Sequence, residues 1–383
     1  MRQAPFDEIL RFIRGLYPGE TPVPLHAPRF LGNEKKYLSE CIDSTFVSYV
    51  GPFVERFEES LKAATRARYA VAMVNGTAAL QMALICCGVR PGDEVITQAL
   101  TFAATPAAIT HAGATPSFID VDRDTLGMSP SALSATLERG VSRRDGGLYR
   151  DDTGRRIAAV VPMHTFGHPA RIEEIAAICR EHGLDLIEDA AESIGSSYRG
   201  KSTGRFGRAS ILSFNGNKPV TTGGGGMILT DDSGVAESAR HLSTTAKQKH
   251  PWEFVHDAVG YNLRLTNLNA AVGCAQMERF AEMLANKRET AARYRAFLEP
   301  LGVTFISEPP EARSNYWLNA ILLADRGERD AFLERSNGQG VQTRPVWALM
   351  HRLPPYAACL RGELPNAEWL EDRLVNLPSS VRL

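Results

Sequence analysis

Between about residue 70 and residue 230, short apolar runs alternate with helix-length amphipathic stretches, the pattern that crossover units of a parallel sheet leave in a chain. The run YAVAMVN (Tyr69 to Asn75) passes into GTAALQMALICCG, so a buried strand should hand over to a helix that opens at Gly76 and Thr77. EVITQA, TPSFID, IAAVVPM and LDLIED read as further buried strands, each bounded by Gly, Pro or Asp. ILSFN and GMILTDD flank a run of glycines, and Thr244 to His256 reads as a long polar loop. Apolar spacing from Asn267 to about Leu298 is helical over many turns, and Arg139 to Arg156 reads as a flexible insertion. At the amino end, Asp7, Glu8, Arg11 and Arg14 interrupt the apolar positions, which predicts a short amphipathic helix on the body rather than a signal peptide. The expectation is an α/β protein with an N-terminal segment (1–27), a large domain (28–265), and a linker helix with a small C-terminal α+β domain (266–383).

Composition narrows the function classes. A chain of 383 residues with 44% hydrophobic residues can bury a sizeable core, and a formal net charge of -1 gives no field for nucleic acid. No apolar run reaches membrane length. The six cysteines lack the short paired spacings of a metal or redox motif, so they read as reduced core thiols of a cytoplasmic protein without a metal site.

Chemistry is most legible from the lysines. The chain has eight, so 35 of its 43 basic residues are arginine, and most of the lysines stand among other charged residues. Lys218 differs: it follows the apolar ILSFN and precedes Pro219 and TTGGGG, and an amine beside buried strands can become a nucleophile for a carbonyl. A plain loop lysine before a glycine-rich turn fits this segment equally well. The glycines match neither a dinucleotide fingerprint nor a Walker pattern. About 30 residues earlier, Asp189 ends the apolar strand of LDLIEDAAES, which would bring its carboxylate out at the carboxyl edge of the sheet, where open α/β proteins bind ligands. Capping the next helix is the alternative role. Glu192 lies one helical turn further on. Gly76 and Thr77 open a helix whose free N–H groups favour an anion, and Ser213 is a second candidate phosphate ligand. Phe102 could stack on a flat ring or simply fill core.

Taken in order, NGTAAL, PGDEVI with TFAAT, EDAAES, SFNGNK with its glycine run, and GYNLRL resemble the DegT/DnrJ family of sugar-nucleotide aminotransferases over nearly the whole chain. The resemblance implies the fold type I architecture, with a mostly parallel seven-stranded sheet, pyridoxal phosphate as cofactor, and a homodimer with active sites shared between subunits. It implies Lys218 as the lysine that carries the cofactor, Asp189 as the partner of the pyridine nitrogen and Glu192 as the partner of the ring oxygen. Gly76, Thr77 and Ser213 match the phosphate site, Phe102 the stacking aromatic, and Asn262 the phosphate ligand donated by the other subunit.

A narrower resemblance runs through VSYVGPFVERFE, DTLGMSP, HTFGHP, TTAKQKHPWEFVHDAVGYN, SNYWLNAILL, TRPVWALMH and NAEWLE. It looks like the branch that uses L-glutamate to aminate C4 of UDP-4-keto-6-deoxy-N-acetylglucosamine for surface glycans built from bacillosamine or legionaminic acid. The alternatives are amination of GDP-4-keto-6-deoxymannose, as in perosamine formation, and a non-catalytic sugar-nucleotide-binding regulator. Sugar dehydratases of the same fold carry His in place of the lysine, and Lys218 argues against them. Arg264 and Arg344 are candidates for carboxylate or pyrophosphate, or for ordinary ion pairs. His250 and His256 are expected only as loop residues near the substrate.

Overall fold

The computed structural model describes residues 5–382. Nine strands build the main sheet: β1 (Tyr69–Met73), β2 (Glu94–Gln98), β3 (Thr115–Ile119), β4 (Val141–Arg144), β5 (Gly147–Arg150), β6 (Arg156–Val161), β7 (Asp185–Asp189), β8 (Ala209–Ser213) and β9 (Gly226–Thr230). Seven of them run in the order β1-β9-β8-β7-β6-β2-β3. The pairs β2–β3, β2–β6, β6–β7 and β7–β8 are parallel, and β9 is antiparallel to both β1 and β8. Parallel strands need crossovers, so helices cover both faces, and the strands are apolar almost throughout because both faces are buried. This mixed, mostly parallel sheet is the fold type I arrangement.

The crossovers bring the carboxyl ends of β7 and β8 to one edge. Asp189 stands opposite Ile211, and Ser213 follows at the end of β8. Beside them, Asn75 leaves β1 in an extended conformation and caps the helix Gly76–Cys86 by accepting the Ala78 N–H at 2.8 Å. That cap fixes where the helix begins, and hence where its first N–H groups face.

A second, four-stranded sheet has the order β10-β11-β13-β12, made of β10 (Thr304–Phe305), β11 (Asn319–Leu322), β12 (Arg344–Pro345) and β13 (Leu374–Leu377). The amino-terminal helix Phe6–Leu16 places Ile9, Leu10 and Ile13 in the same apolar cluster as Tyr294, Phe332 and Leu377. The residues before it that carry the sequence's first four positions lie outside the described chain.

One expectation is corrected and another is met with a single break. The stretch 139–156 is not a loose insertion: β4 and β5 form a hairpin whose Leu148 is buried against Ile157, and Arg150 reaches the buried Glu94 at 2.6 Å. Its outward residues are charged, which masked a strand pair that is apolar on one side only. The helical run after Asn267 is two helices, Asn267–Glu278 and Phe280–Leu298, divided at Arg279 where the backbone leaves helical angles (φ -106, ψ 3). Among the described residues, no helix is long and apolar enough to cross a membrane.

Candidate active site

Where the edge of the main sheet meets the second sheet, a cavity of about 680 Å³ opens. Asn75, Gly76, Thr77, Phe102, Asp189, Glu192, Ser213, Lys218 and Arg344 all line it, so stretches far apart in sequence meet in one place.

Asp189 is 4% exposed, and burial pushes its carboxyl pKa up. Two donors oppose that rise: Thr105 Oγ1–H at 2.7 Å and the Ala191 N–H at 3.1 Å. They also orient the carboxylate, so it can hold a protonated ring nitrogen. Glu192 is more extreme. Its carboxyl is pushed up to about 7 by burial, against the attraction of the Lys218 amine and the Phe166 N–H. It accepts the Phe166 N–H at 2.9 Å and the Lys218 amine at 3.1 Å.

Lys218 Nζ also lies 3.8 Å from the centre of the Trp317 ring. That ring is fixed in turn, its Nε1–H donating to the Asn217 carbonyl at 2.7 Å. The lysine, which lines the cavity, is thus held between a carboxylate and an aromatic face.

The phosphate end is built from backbone. The first N–H groups of a helix have no partner inside it, and those at Gly76 and Thr77 open onto the cavity beside Ser213. A Cβ on Gly76 would stand 2.9 Å from Ser213 Cβ, so only glycine allows this approach. An anion cradle, a buried carboxylate, a caged lysine and the half-exposed Phe102 ring match the donor set that a phosphorylated pyridine aldehyde requires.

Sequence reasoning missed Thr105, Phe166 and Trp317. Phe166 carries the clearest signal after the fact: it adopts a left-handed φ of 56° while buried, immediately before Gly167 in HTFGHP. Such strain persists where the surroundings impose it, and here it aims an N–H at Glu192.

Four candidates stand apart from the cavity: Asn262, Arg264, His250 and His256. The segment holding Asn262 and Arg264 continues the sheet beyond the end of β1, where the Leu263 carbonyl accepts the Val74 N–H at 2.8 Å and Met73 bridges to Arg264. Asn262 is exposed, and the Arg264 guanidinium lies over the Tyr49 ring, 2.9 Å from its centre. His250 Nδ1 accepts the Glu253 N–H at 2.9 Å, and His256 Nδ1 donates to the Thr245 carbonyl at 2.8 Å. Arg344, by contrast, does line the cavity, donating to Asn337 Oδ1 at 2.9 Å from its rim.

The chain is 36% identical over 357 residues to the GDP-perosamine synthase of Escherichia coli O157:H7, covering 93% of both chains. It is 35% identical over 366 residues to the GDP-perosamine synthase of Caulobacter vibrioides, covering 94% of both. Among solved structures, DesI in the presence of its TDP-sugar product superposes with a TM-score of 0.81 at 30% identity, covering 96% of this chain and 91% of that one. The model of the DegT/DnrJ/EryC1/StrS aminotransferase family matches residues 30–383, and the chain belongs to that family.

Proposed function

We propose that this aminotransferase moves the amino group of L-glutamate to C4 of a GDP-linked 4-keto-6-deoxy hexose, using pyridoxal phosphate bound in the cavity at Lys218. The observation that carries the chemistry is the convergence of Lys218, Glu192 and Asp189 on one enclosed space next to a helix N-terminus. The two near-full-length GDP-perosamine synthases support the GDP-sugar over the UDP-linked N-acetylhexosamine expected from the narrower motifs.

When bound, pyridoxal phosphate supplies an aldehyde carbon and a ring that withdraws electrons. Asp189, oriented by Thr105, keeps the ring nitrogen protonated. Lys218, which lines the cavity, would hold the aldehyde carbon of the group. Its amine, when free, would take the proton from the α-carbon of glutamate and, in the return half, deliver one to C4 of the sugar. Glu192, 3.1 Å from that amine and poised near neutrality, gives and takes the lysine's proton between steps. Gly76, Thr77 and Ser213 anchor the phosphate and Phe102 covers the ring. Arg344 at the rim serves carboxylate or pyrophosphate by its planar fork.

Asn262, Arg264, His250 and His256 act on a second copy of the chain in this reading, as part of a homodimer with shared sites. Their separation from the cavity of their own chain supports it, as do the exposed Phe46, Val47, Tyr49 and Val74. The deciding experiment offers glutamate with either GDP-4-keto-6-deoxymannose or UDP-4-keto-6-deoxy-N-acetylglucosamine and follows 2-oxoglutarate, with NMR of the product. A higher kcat/KM on the GDP sugar is expected; the reverse order returns the protein to the UDP branch, and no amination of either refutes the reading.

A further inference from the structure

The two walls that hold Lys218 stand on irregular backbone. Glu192 lies in a turn after β7 and Trp317 in a bend before β11, so neither a strand ladder nor a helix sets the distance between them. That distance fixes the lysine, whose amine donates to Glu192 Oε1 at 3.1 Å and stands 3.8 Å from the centre of the Trp317 ring. Buried carbonyls and N–H groups in such turns need a partner from elsewhere in the chain.

One side chain supplies that partner to both walls. Asn315 is fully buried, and its amide uses both N–H bonds, donating from Nδ2 to the Glu192 carbonyl at 2.8 Å and to the Ile194 carbonyl at 2.9 Å. Its Oδ1 accepts the Trp317 N–H at 2.8 Å, an Asx turn that starts the bend. Glu192 and Trp317 are therefore tied to opposite ends of one planar group. Asn315 is anchored in turn: its backbone N–H donates to Ser196 Oγ at 2.9 Å, and that hydroxyl donates to the Gly167 carbonyl at 2.7 Å. A Cβ on Gly167 would overlap Asn315 Oδ1, so the amide fills the place of a side chain next to Phe166, whose N–H donates to Glu192 Oε2 at 2.9 Å.

We propose that Asn315 is the positioning residue for Lys218: its amide sets the separation of Glu192 and Trp317, and with it the place of the lysine amine between them. Proton transfer slows steeply when donor and acceptor are displaced, so this amide acts on the rate of the step at Lys218 and not on the binding of glutamate. A buried amide that served stability alone would leave the reactivity of the lysine unchanged. The inference rests on the reading of Lys218 as the lysine that carries the cofactor.

The test begins with the cofactor-free protein, its amines modified by acetic anhydride and mapped by peptide mass, with the exposed Lys35 and the buried Lys287 as references. Asn315→Ser cannot span the two walls, so Lys218 should react about tenfold faster relative to Lys35, with Lys287 unchanged. In the cofactor-loaded protein the same variant should slow the saturated glutamate half-reaction about tenfold and leave the half-saturating glutamate concentration within about twofold. Trp317→Leu removes one wall and should have the same effects. Adding Asn315→Ser to it should change the rate by less than about twofold, because a spacer has no role beside a single wall. Ser196→Ala keeps the amide but loses its backbone anchor; it should move both readouts the same way by about threefold, and it decides the matter if Asn315→Ser does not fold. Unchanged labelling of Lys218, an equal rise at Lys287, a loss confined to glutamate affinity, or full additivity with Trp317→Leu would overturn the proposal. If borohydride reduction places the cofactor on another lysine, the functional reading fails by itself, and the labelling of cofactor-free protein still decides the role of Asn315.

Discussion

Replacing Glu192 by Gln separates the charge of this carboxyl from its shape. In the folded chain its pKa is about 7, against 4.5 ordinarily, so between those values the folded state holds a proton that the unfolded state has released. Stability from this group is therefore fully present below about pH 4.5 and is lost as pH rises through 7. At about 1.4 kcal/mol per pH unit, the loss integrates to about 2.5 kcal/mol between pH 5 and pH 8. Solvent screening does not reduce it, because Glu192 is only 1% exposed. Gln keeps an acceptor for the Phe166 N–H but does not titrate. Urea unfolding of the cofactor-free protein at pH 5, 6, 7 and 8 should show the wild type losing about 2.5 kcal/mol relative to Glu192→Gln across the series. Asp189 shifts in the same direction and its charge helps raise Glu192, so the same pair is compared in an Asp189→Asn background as well, which removes its share. Parallel curves for the two proteins would show that Glu192 is ionised throughout, and the account of it as a proton partner for Lys218 would fall.

Lys218→Ala should abolish turnover and the borohydride-reducible link to the cofactor, checked by reduction and peptide mapping; a label on another lysine would displace the assignment. Mixing Lys218→Ala with Asn262→Ala protomers should form hybrid dimers with one complete site and more activity than either mutant alone, whereas a fully active monomer by sedimentation would contradict shared sites. Thr105→Val removes the 2.7 Å hydroxyl donor from Asp189 and should slow the stopped-flow glutamate half-reaction about tenfold, since the carboxylate loses a bond worth about 1.5 kcal/mol. Gly226→Ala drives a methyl into the Asn75 carbonyl, and β9 is held between two strands and cannot retreat. A stability loss of about 1–3 kcal/mol in urea and weaker cofactor binding are expected together, because Asn75 caps the phosphate helix.

What the sequence determined by itself is whatever depends on order along the chain. Buried strands broken by helix-length stretches specify a parallel sheet, because both of its faces must be covered. Asp189 was legible because it ends an apolar strand, and Lys218 because it comes a few residues after one, so both emerge at the carboxyl edge of the sheet. The helix start at Gly76 was legible for the same reason. Tertiary structure alone decided the contacts that give these groups their chemistry. Thr105 is 84 residues from Asp189, and Phe166 is 26 from Glu192, separations at which no local periodicity carries information. Trp317 reaches Lys218 from beside the second sheet, and His26 lines the cavity from near the amino end of the chain, where the neighbouring Leu25 carbonyl accepts the Ser379 N–H. The hairpin at 141–150 looked loose because charge on its outer side hides one buried leucine, a pairing that exists only once β6 stands next to it. Asn262 and Arg264 lie outside the cavity because β1 and its continuation form the edge of the sheet, and the chain offers nothing further to bring them back.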